Sequence, residues 1–242
     1  MTVASRTSTG PAYWALIPAA GIGKRMGSDT PKQYLALLGR PVIAHSIERL
    51  GNHPRMAGII VVLRSGDPFW PHVELQCRVP VWTAIGGVQR CDSVLHGLRE
   101  LSEHAASDDW VLVHDAARPC LRDREVDRLI EELGDDPVGG LLAVPVSDTL
   151  KRADHRQRVL ETVQRRGLWC AQTPQMFRMG ALLPALQEAI QRGGEVTDEA
   201  AAMEYAGAQP RLVVGDLRNI KVTHPEDLSL AALYLRGDAG VK

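Results

Sequence analysis

Runs of consecutive apolar residues alternate with amphipathic stretches along most of this chain. Residues 58–64, "GIIVVLR", show no polar alternation, which is expected of a parallel strand buried on both faces. Elsewhere the apolar residues recur at helical spacing, as at Val94, Leu98 and Leu101. This repeated order of strand and then helix predicts an α/β fold, with a mostly parallel central sheet and helices on both faces.

The same reasoning assigns the other elements. Further strands are predicted at "YWALIPA", "VPVWTAI", "WVLVH", "GGLLAVPV", "RLVVG" and "NIKVT". Helices are predicted near residues 42–50, at "RCDSVLHGLRELSEHA", at "REVDRLIEEL" and at 198–206. The segment "GALLPALQEAIQRGG" predicts a helix that is kinked at, or begins at, Pro184, and Pro225 opens a last helix.

One segment interrupts this order. Residues 147–169 contain six cations against three acids and short β-like pieces, but no stretch long enough for a helix that covers a sheet. We predict a β-hairpin that leaves the main body, either as a solvated loop or as an arm that packs on a second subunit. Residues 1–12 are predicted to be a disordered leader, and residues 13–242 a single domain that includes this arm.

Composition limits the classes of function. The 242 residues carry a net charge of −1, so no overall field favours nucleic acid or a membrane surface. No apolar run approaches the roughly 18 residues that a membrane helix needs. The four cysteines are far apart and form no CxxC pair, which argues against a zinc site or a disulfide framework. We expect a cytoplasmic protein whose cysteines are small buried hydrophobes.

A glycine-rich turn follows the first predicted strand, in "LIPAAGIGKRMGSDTPKQYLAL". The Walker pattern GxxxxGK[ST] fails, because Pro18 stands in place of its first glycine and Arg25 in place of Ser or Thr. The dinucleotide pattern GxGxxG fails because Met26 replaces its third glycine, which disfavours a dinucleotide-dependent dehydrogenase. Small residues still allow backbone N–H groups to approach an anion closely. We therefore predict a phosphate-binding turn, rather than an ordinary strand-to-helix turn, formed by Pro18, Ala19, Ala20, Gly21, Gly23 and the cations Lys24, Arg25 and Lys32.

Several motifs in order carry a resemblance to a known family. "PAAGIGKRMG…PKQYLALLGRPVIAHSI", "GGVQRCDSV", "VLVHDAARP", "PVSDTLKR", "LWCAQTPQMF", "VTDEAAAME" and "NIKVTHPEDL" resemble the 2-C-methyl-D-erythritol 4-phosphate cytidylyltransferases of the non-mevalonate isoprenoid pathway. The resemblance covers about residues 17–228. It implies a Rossmann-like nucleotidyltransferase fold, transfer of a cytidylyl group from CTP to the sugar-alcohol phosphate, a Mg²⁺ cofactor and a homodimer formed through the arm.

The resemblance also implies roles for particular residues. Arg25, Lys32 and Lys221 match cations that contact the CTP phosphates and act in catalysis. An exposed surface lysine is the other interpretation of Lys32. The loop "GGVQRCDSV" reads the cytosine, with Gly86, Gly87, Arg90 and Ser93 as its nucleotide-binding residues. Arg90 and Ser93 also fit a plain helix start. Val88 and Gln89 depart from the acidic residues that relatives often carry, which bears on base selectivity.

The acceptor region is implied by a second set. Asp115 follows an apolar strand and is expected to orient Mg²⁺, since such strand ends hold ligands and Mg²⁺ takes one or two carboxylates. A pair of Asp115 and Arg118 that only structures the loop is the other interpretation. Thr197 reads as a ligand or, more simply, as a helix N-cap. The predicted substrate-binding residues are Asp115, Arg118, Thr149, Arg165 (with Arg166 as its alternative), Thr173 and Thr197.

The implied reaction needs no general base, because the attacking phosphate has a second pKa of about 6 and is largely ionised near neutral pH. This agrees with the lack of a nucleophile elbow or a catalytic dyad in the sequence. Two alternatives stay open. One is a cytidylyltransferase for another polyol phosphate such as ribitol 5-phosphate, and the other is a nucleotide-binding regulator without catalysis.

Overall fold

The computed structural model describes residues 10–21 and 30–239. The described residues form strands β1 (Tyr13–Pro18), β2 (Ala36–Leu37), β3 (Arg40–Pro41), β4 (Met56–Leu63), β5 (Val81–Ile85), β6 (Trp110–Val113), β7 (Gly139–Pro145), β8 (Leu150–Ala153), β9 (Val159–Val163), β10 (Trp169–Arg178) and β11 (Arg211–Val214). Their helices are α1 (Val42–Gly51), α2 (Arg90–Leu101), α3 (Asp123–Leu133), α4 (Met179–Gln191), α5 (Glu199–Tyr205) and α6 (Pro225–Ala239).

Within the described part of the chain, seven strands form the central sheet in the order β11-β7-β10-β6-β1-β4-β5. Strand β10 runs antiparallel to both β6 and β7, while the other neighbours pair in parallel. The predicted mostly parallel α/β sheet is therefore confirmed. The chain order reverses beside β1, and ligands of open α/β sheets bind at such a point, beyond the carboxyl ends of the strands.

Each face of the sheet is covered by helices. Along β1, Ala15 and Ile17 belong to the apolar cluster beneath α1 and α3, whereas Trp14 and Leu16 belong to the cluster beneath α2 and α4. This alternation follows from the two-residue period of a strand. The predicted helical stripes of α2 and α3 are buried, which confirms them: Val94, Leu98, Leu101, Val126, Leu129, Ile130 and Leu133.

One element prediction is wrong, and the start of another element is corrected. Residues 219–223, "NIKVT", lie outside any strand, because the N–H of Val222 donates to the carbonyl of Ala117 (2.8 Å) and the segment runs as a loop toward α6. The predicted helix α4 is confirmed, but it begins at Met179 with Pro184 in its interior, so the alternative that it begins at Pro184 is wrong. The N–H groups of Met179 and Gly180 donate to the carbonyls of Asp109 and Ser107, so a neighbouring loop satisfies the first turn.

Strand β10 was not predicted, because Pro174 interrupts its pattern. The pairing of β10 with β7 shifts register between Ala171 and Gln175, so the proline sits where the ladder is broken. The expectation that every cysteine is buried is wrong for Cys170, which is exposed near the start of β10, and Cys77 is only half-buried.

The predicted hairpin is confirmed. Strands β8 and β9 pair antiparallel in a separate two-stranded sheet, with Leu150 opposite Val163. The apolar side chains of Val159 and Leu160 are each 62% exposed at this hairpin. None of the helices in residues 10–21 and 30–239 is long and apolar enough to cross a bilayer.

Gly97 tests the packing of α2 on the sheet. A Cβ added there would lie 2.5 Å from Val62 Cγ2 and 2.9 Å from Leu16 Cδ1. Alanine gains about 1 kcal/mol of helix propensity over glycine, but overpacking a core costs about 1–3 kcal/mol. We therefore expect Gly97→Ala to lower the free energy of unfolding, measured by urea denaturation.

Gly237 provides the matched control, since it lies in α6 and nothing stands within 4 Å of its added Cβ. Gly237→Ala is expected to leave the free energy of unfolding unchanged or slightly raised. Equal effects of the two substitutions would show that α2 does not pack against β1 and β4 as described.

Candidate active site

A cavity of about 220 Å³ opens at the carboxyl ends of β1, β5 and β6. The loops after these strands form its wall, as the topology leads one to expect. The segment after β11 adds Lys221 from the side of α6. The residues that line the cavity are Pro18, Ala19, Ala20, Gly21, Lys32, Gln33, Gly87, Val88, Gln89, Arg90, Ser93, Asp115, Ala116, Ala117 and Lys221.

The turn after β1 is held in place by Gln33. The buried side chain amide of Gln33 donates to the carbonyls of Ala19 and Gly21, at 2.8 Å each. The N–H of Ala19 donates to the carbonyl of Val62 and extends the pairing with β4 (2.7 Å). Gln33 was missed in the sequence, where only its position beside Lys32 pointed to it. The predicted residues Gly23, Lys24 and Arg25 lie outside the described residues.

The loop after β5 approaches this turn closely. A Cβ on Gly86 would lie 2.6 Å from Ala20 Cβ and 2.7 Å from Ser93 Oγ, so only glycine fits there. The Ser93 hydroxyl accepts from the N–H of Gly87 and donates to the carbonyl of Gln89, both at 3.1 Å. Ser93 therefore shapes the loop at the start of α2 and also lines the cavity.

The two residues that depart from the family pattern lie at the cavity. Gln89 is the N-cap of α2, and its N–H is bonded by the carboxylate of Asp92 (2.9 Å). The side chain of Val88 is fully exposed and lines the cavity. Val88 therefore presents an apolar group to the cavity, while Ser93 and Asp92 hold the backbone of the loop.

Asp115 is the electrostatic centre of the cavity. Its carboxylate lies 2.7 Å from Lys221 Nζ, 3.4 Å from Arg90 Nη2 and 3.7 Å from Arg118 Nε. Burial by itself would raise the pKa of Asp115, but Arg90 and Lys221 outweigh it and hold this pKa well below its usual range. The group is therefore ionised at neutral pH.

Arg90 joins Asp115 to a second carboxylate that the sequence did not single out for the site. Its guanidinium donates to both oxygens of Glu199, at 2.7 and 3.2 Å. Burial would lower the pKa of Arg90, yet Glu199 and Asp115 together raise it above its ordinary value. The sequence gives no signal for this pair, because Arg90 and Glu199 are more than a hundred positions apart.

A buried chain of hydrogen bonds lies behind Asp115. The Thr173 hydroxyl accepts from the N–H of Asp115 and bonds His114 Nδ1, both at 3.0 Å. His114 Nε2 bonds the carbonyl of Arg118 (3.0 Å). Burial lowers the pKa of His114 to about 4, so the ring is neutral and the hydroxyl donates to Nδ1. Thr173 is therefore engaged within the protein, and its role as a substrate contact stays a prediction.

Arg118 binds to backbone groups near the cavity. It donates to the carbonyls of Asn219 (2.6 Å) and Ala171 (3.4 Å), and burial lowers its pKa. These bonds agree with the interpretation that Asp115 and Arg118 structure the loop. The role of Arg118 in binding the acceptor phosphate is left as a prediction.

Lys32 bonds the segment after β11 that carries Lys221. The ammonium of Lys32 donates to the carbonyl of Val222 (2.9 Å), the residue after Lys221. Lys32 is half-buried and lines the cavity, so the alternative of an exposed surface lysine is wrong. The loop that was predicted to be a strand is thus what carries Lys221 to Asp115.

Of the predicted acceptor residues, all of which the structure describes, Asp115 alone lines the cavity. Thr149 and Arg166 are exposed, and Arg165 donates to the carbonyl of Ser147 at the base of the arm. The N-cap of α5 is Asp198, whose carboxylate accepts from the N–H of Ala201, so the N-cap interpretation of Thr197 is wrong by one residue. An aspartate is as good a cap as threonine, and it also bonds Gln175.

Comparison with known proteins gives the family. The sequence profile of the family described as "IspD: 2-C-methyl-D-erythritol 4-phosphate cytidylyltransferase" matches residues 13–237. The 2-C-methyl-D-erythritol 4-phosphate cytidylyltransferase of Pseudomonas aeruginosa (strain UCBPP-PA14) is 56% identical over 223 residues, which cover 92% of this chain and 95% of that protein.

Solved structures agree. A crystal structure of a 4-diphosphocytidyl-2C-methyl-D-erythritol synthase aligns with a TM-score of 0.80 and 40% identity, over 93% of this chain and 99% of that one. The Francisella tularensis 2-C-methyl-D-erythritol 4-phosphate cytidylyltransferase aligns with a TM-score of 0.81 and 33% identity, over 92% and 99%. The chain therefore belongs to the 2-C-methyl-D-erythritol 4-phosphate cytidylyltransferase family.

Proposed function

We propose that this protein transfers the cytidylyl group of CTP to 2-C-methyl-D-erythritol 4-phosphate, giving 4-diphosphocytidyl-2-C-methyl-D-erythritol and pyrophosphate. A phosphate oxygen of the acceptor attacks the α-phosphorus of CTP in line with the departing pyrophosphate. The observation that carries the proposal is the cavity at the strand ends, where Arg90 and Lys221 pair with Asp115 and Lys32 lines the same wall. The 56% identity to a 2-C-methyl-D-erythritol 4-phosphate cytidylyltransferase also supports the proposal.

Charge is the main obstacle to this reaction. Two unit charges of like sign 4 Å apart repel by about 4 kcal/mol at an effective dielectric of about 20. Lys32 and Lys221 line the cavity and offset this repulsion, and the same cations stabilise the charge that spreads over the five-coordinate phosphorus. Arg25, outside the described residues, is proposed to act with them.

Proton transfer has little part in the mechanism. The acceptor phosphate is already largely a dianion near neutral pH. His114, whose pKa is about 4, is buried and bonded to Thr173 and Arg118, so it is not placed to act as a base. The residues of the site therefore bind and orient charged groups.

A magnesium ion fits the carboxylate of Asp115. This oxygen donor is hard, ionised and on the cavity wall, and Mg²⁺ commonly takes one or two carboxylates together with phosphate oxygens and water. When bound, the ion would neutralise charge on the triphosphate. Lys221, which pairs with Asp115 in the protein alone, is proposed to contact the phosphates in the complex.

We also propose that the protein works as a cytoplasmic homodimer. The arm exposes Val159 and Leu160, which a second subunit would cover. Arg165 lies at the base of this arm and away from the cavity lining of its own subunit, which supports a role for it in the partner's site. The four cysteines, all in the described part, are free, which suits a reducing compartment.

The reaction itself can be tested by pyrophosphate release. CTP, ATP, GTP and UTP are each combined with methylerythritol phosphate and with ribitol 5-phosphate, with and without Mg²⁺. We expect release only with CTP, methylerythritol phosphate and Mg²⁺. Activity with ribitol 5-phosphate would favour the other polyol phosphate, and nucleotide binding without release from any pair would favour a regulator.

Lys32→Ala should lower kcat by more than about tenfold, because a cation beside the reacting phosphates is lost. Steady-state kinetics of pyrophosphate release measures this. Arg99→Ala is the matched control, because it removes an exposed cation near the end of α2 that lies farther from the cavity. Its kcat should be near that of wild type. Since Lys32 also bonds the carbonyl of Val222, thermal melting must show both variants folded. Normal kcat in folded Lys32→Ala removes this residue from the mechanism.

Subunit mixing tests the arm. If Arg165 acts in the partner's site, dimers of Arg165→Ala with Lys32→Ala contain one intact site, and an equal mixture should recover roughly a quarter of wild-type activity. Activity after subunit exchange, with dimers verified by sedimentation, gives the answer. If activity recovers instead when Arg166→Ala is mixed with Lys32→Ala, Arg166 is the residue that acts in the partner's site. A monomer in solution, or no recovery in mixed dimers, contradicts the proposal.

A further inference from the structure

Arg90 contacts two carboxylates, and it binds Glu199 more closely than Asp115. It makes two bonds to Glu199, at 2.7 and 3.2 Å, and one longer contact to Asp115, at 3.4 Å. A paired, two-bond contact between guanidinium and carboxylate fixes the plane of the guanidinium as well as its distance. Glu199 therefore sets the direction in which Arg90 faces the cavity.

Glu199 itself is held on both sides. Its side chain is 1% exposed, and it opens α5 directly after the N-cap Asp198. The buried amide of Gln175 in β10 donates to Asp198 Oδ2 and accepts from the N–H of Ala200, at 2.9 and 2.8 Å. The central sheet thus fixes the residues before and after Glu199, and the carboxylate has a defined place from which to bond Arg90.

The charge of Glu199 also affects how Arg90 is shared with Asp115. Without the charge of Glu199, Asp115 is the remaining acidic partner of Arg90 among the ion pairs of the described residues. Arg90 would then turn to Asp115 and compete with Lys221 for it. Arg90 would then no longer face the cavity in the direction that Glu199 sets. Asp115 would also be less available to Lys221.

We propose that Glu199 is a positioning residue of the nucleotide site, which holds Arg90 at the cavity wall and limits its contact with Asp115 to one long bond. This inference rests on the proposed function, because the ligand whose binding it serves is CTP. A purely structural role, in which Glu199 only docks α5, predicts loss of stability without a specific change in CTP binding.

The test is a double-mutant cycle on CTP binding by isothermal titration calorimetry, with Glu199→Gln, Arg90→Met and the double variant of the full chain. We expect each single variant to raise the Kd of CTP about tenfold, as for loss of a charged hydrogen bond, and the double variant to bind no more weakly than the weaker single one. Glu204→Gln, exposed on the same helix, is the matched control and should bind as wild type.

Steady-state kinetics, which measures the KM of each substrate separately, gives a second readout. Glu199→Gln should raise the KM of CTP and leave the KM of methylerythritol phosphate near wild type. Unchanged CTP binding in folded Glu199→Gln, or effects of the two single variants that simply add, overturns the inference. If Glu199→Gln does not fold, Arg90→Lys keeps the charge but cannot make the paired bonds: weaker CTP binding supports the inference, and unchanged binding overturns it.

Failure of the proposed function is visible separately. If wild-type protein binds ATP, GTP or UTP in place of CTP, the proposed substrate is wrong, and the same cycle is run with the nucleotide that binds. Non-additive weakening there still supports the positioning role of Glu199, and additive or absent weakening overturns it.

Discussion

The carboxylate of Asp115 is the interaction on which the arrangement of the site depends. Left alone, a buried carboxylate would take up a proton, but here Lys221, Arg90 and Arg118 keep it ionised. Each of these cations comes from a different part of the chain. One negative charge thus draws the loop after β6, the start of α2 and the segment before α6 to one point, and they remain there as a rim that can receive anionic substrates.

The rest of the structure serves to bring these segments to the same edge of the sheet. Because β1, β5 and β6 are parallel, the loops after them lie at the same edge of the sheet. Gln33 and Gly86 then let the loops after β1 and β5 approach closely. Strand β10 runs in the opposite direction and delivers Thr173 and Gln175 from behind. Thr173 supports Asp115, and Gln175 supports the turn that carries Glu199. Side chains that do not line the cavity therefore hold Asp115 and Glu199 in position.

Several residues could be found from the sequence because their signals are local. The small residues after β1, the glycines at Gly86 and Gly87, and Asp115 at a strand end were predicted, and they lie at or beside the cavity. Glu199 and Gln33 were missed, since a buried carboxylate or amide carries no pattern that names its partner. "NIKVT" was wrongly predicted as a strand, because local composition does not report whether an edge is available for pairing. Thr197 was taken for the N-cap one residue early, since Thr, Asp and Glu are adjacent there.

What the sequence determined by itself is periodic or contiguous: the strand and helix order, the buried stripes, the hairpin and the family motifs. These depend on side-chain spacing within a few residues, which the one-dimensional pattern preserves. Only the tertiary structure decided which cation meets which carboxylate, that Lys32 reaches Val222, and that Arg90 is divided between Asp115 and Glu199. The physical reason is that ion pairs and hydrogen bonds depend on distances of a few ångströms between residues far apart in sequence, and these distances are fixed only when the whole sheet has formed.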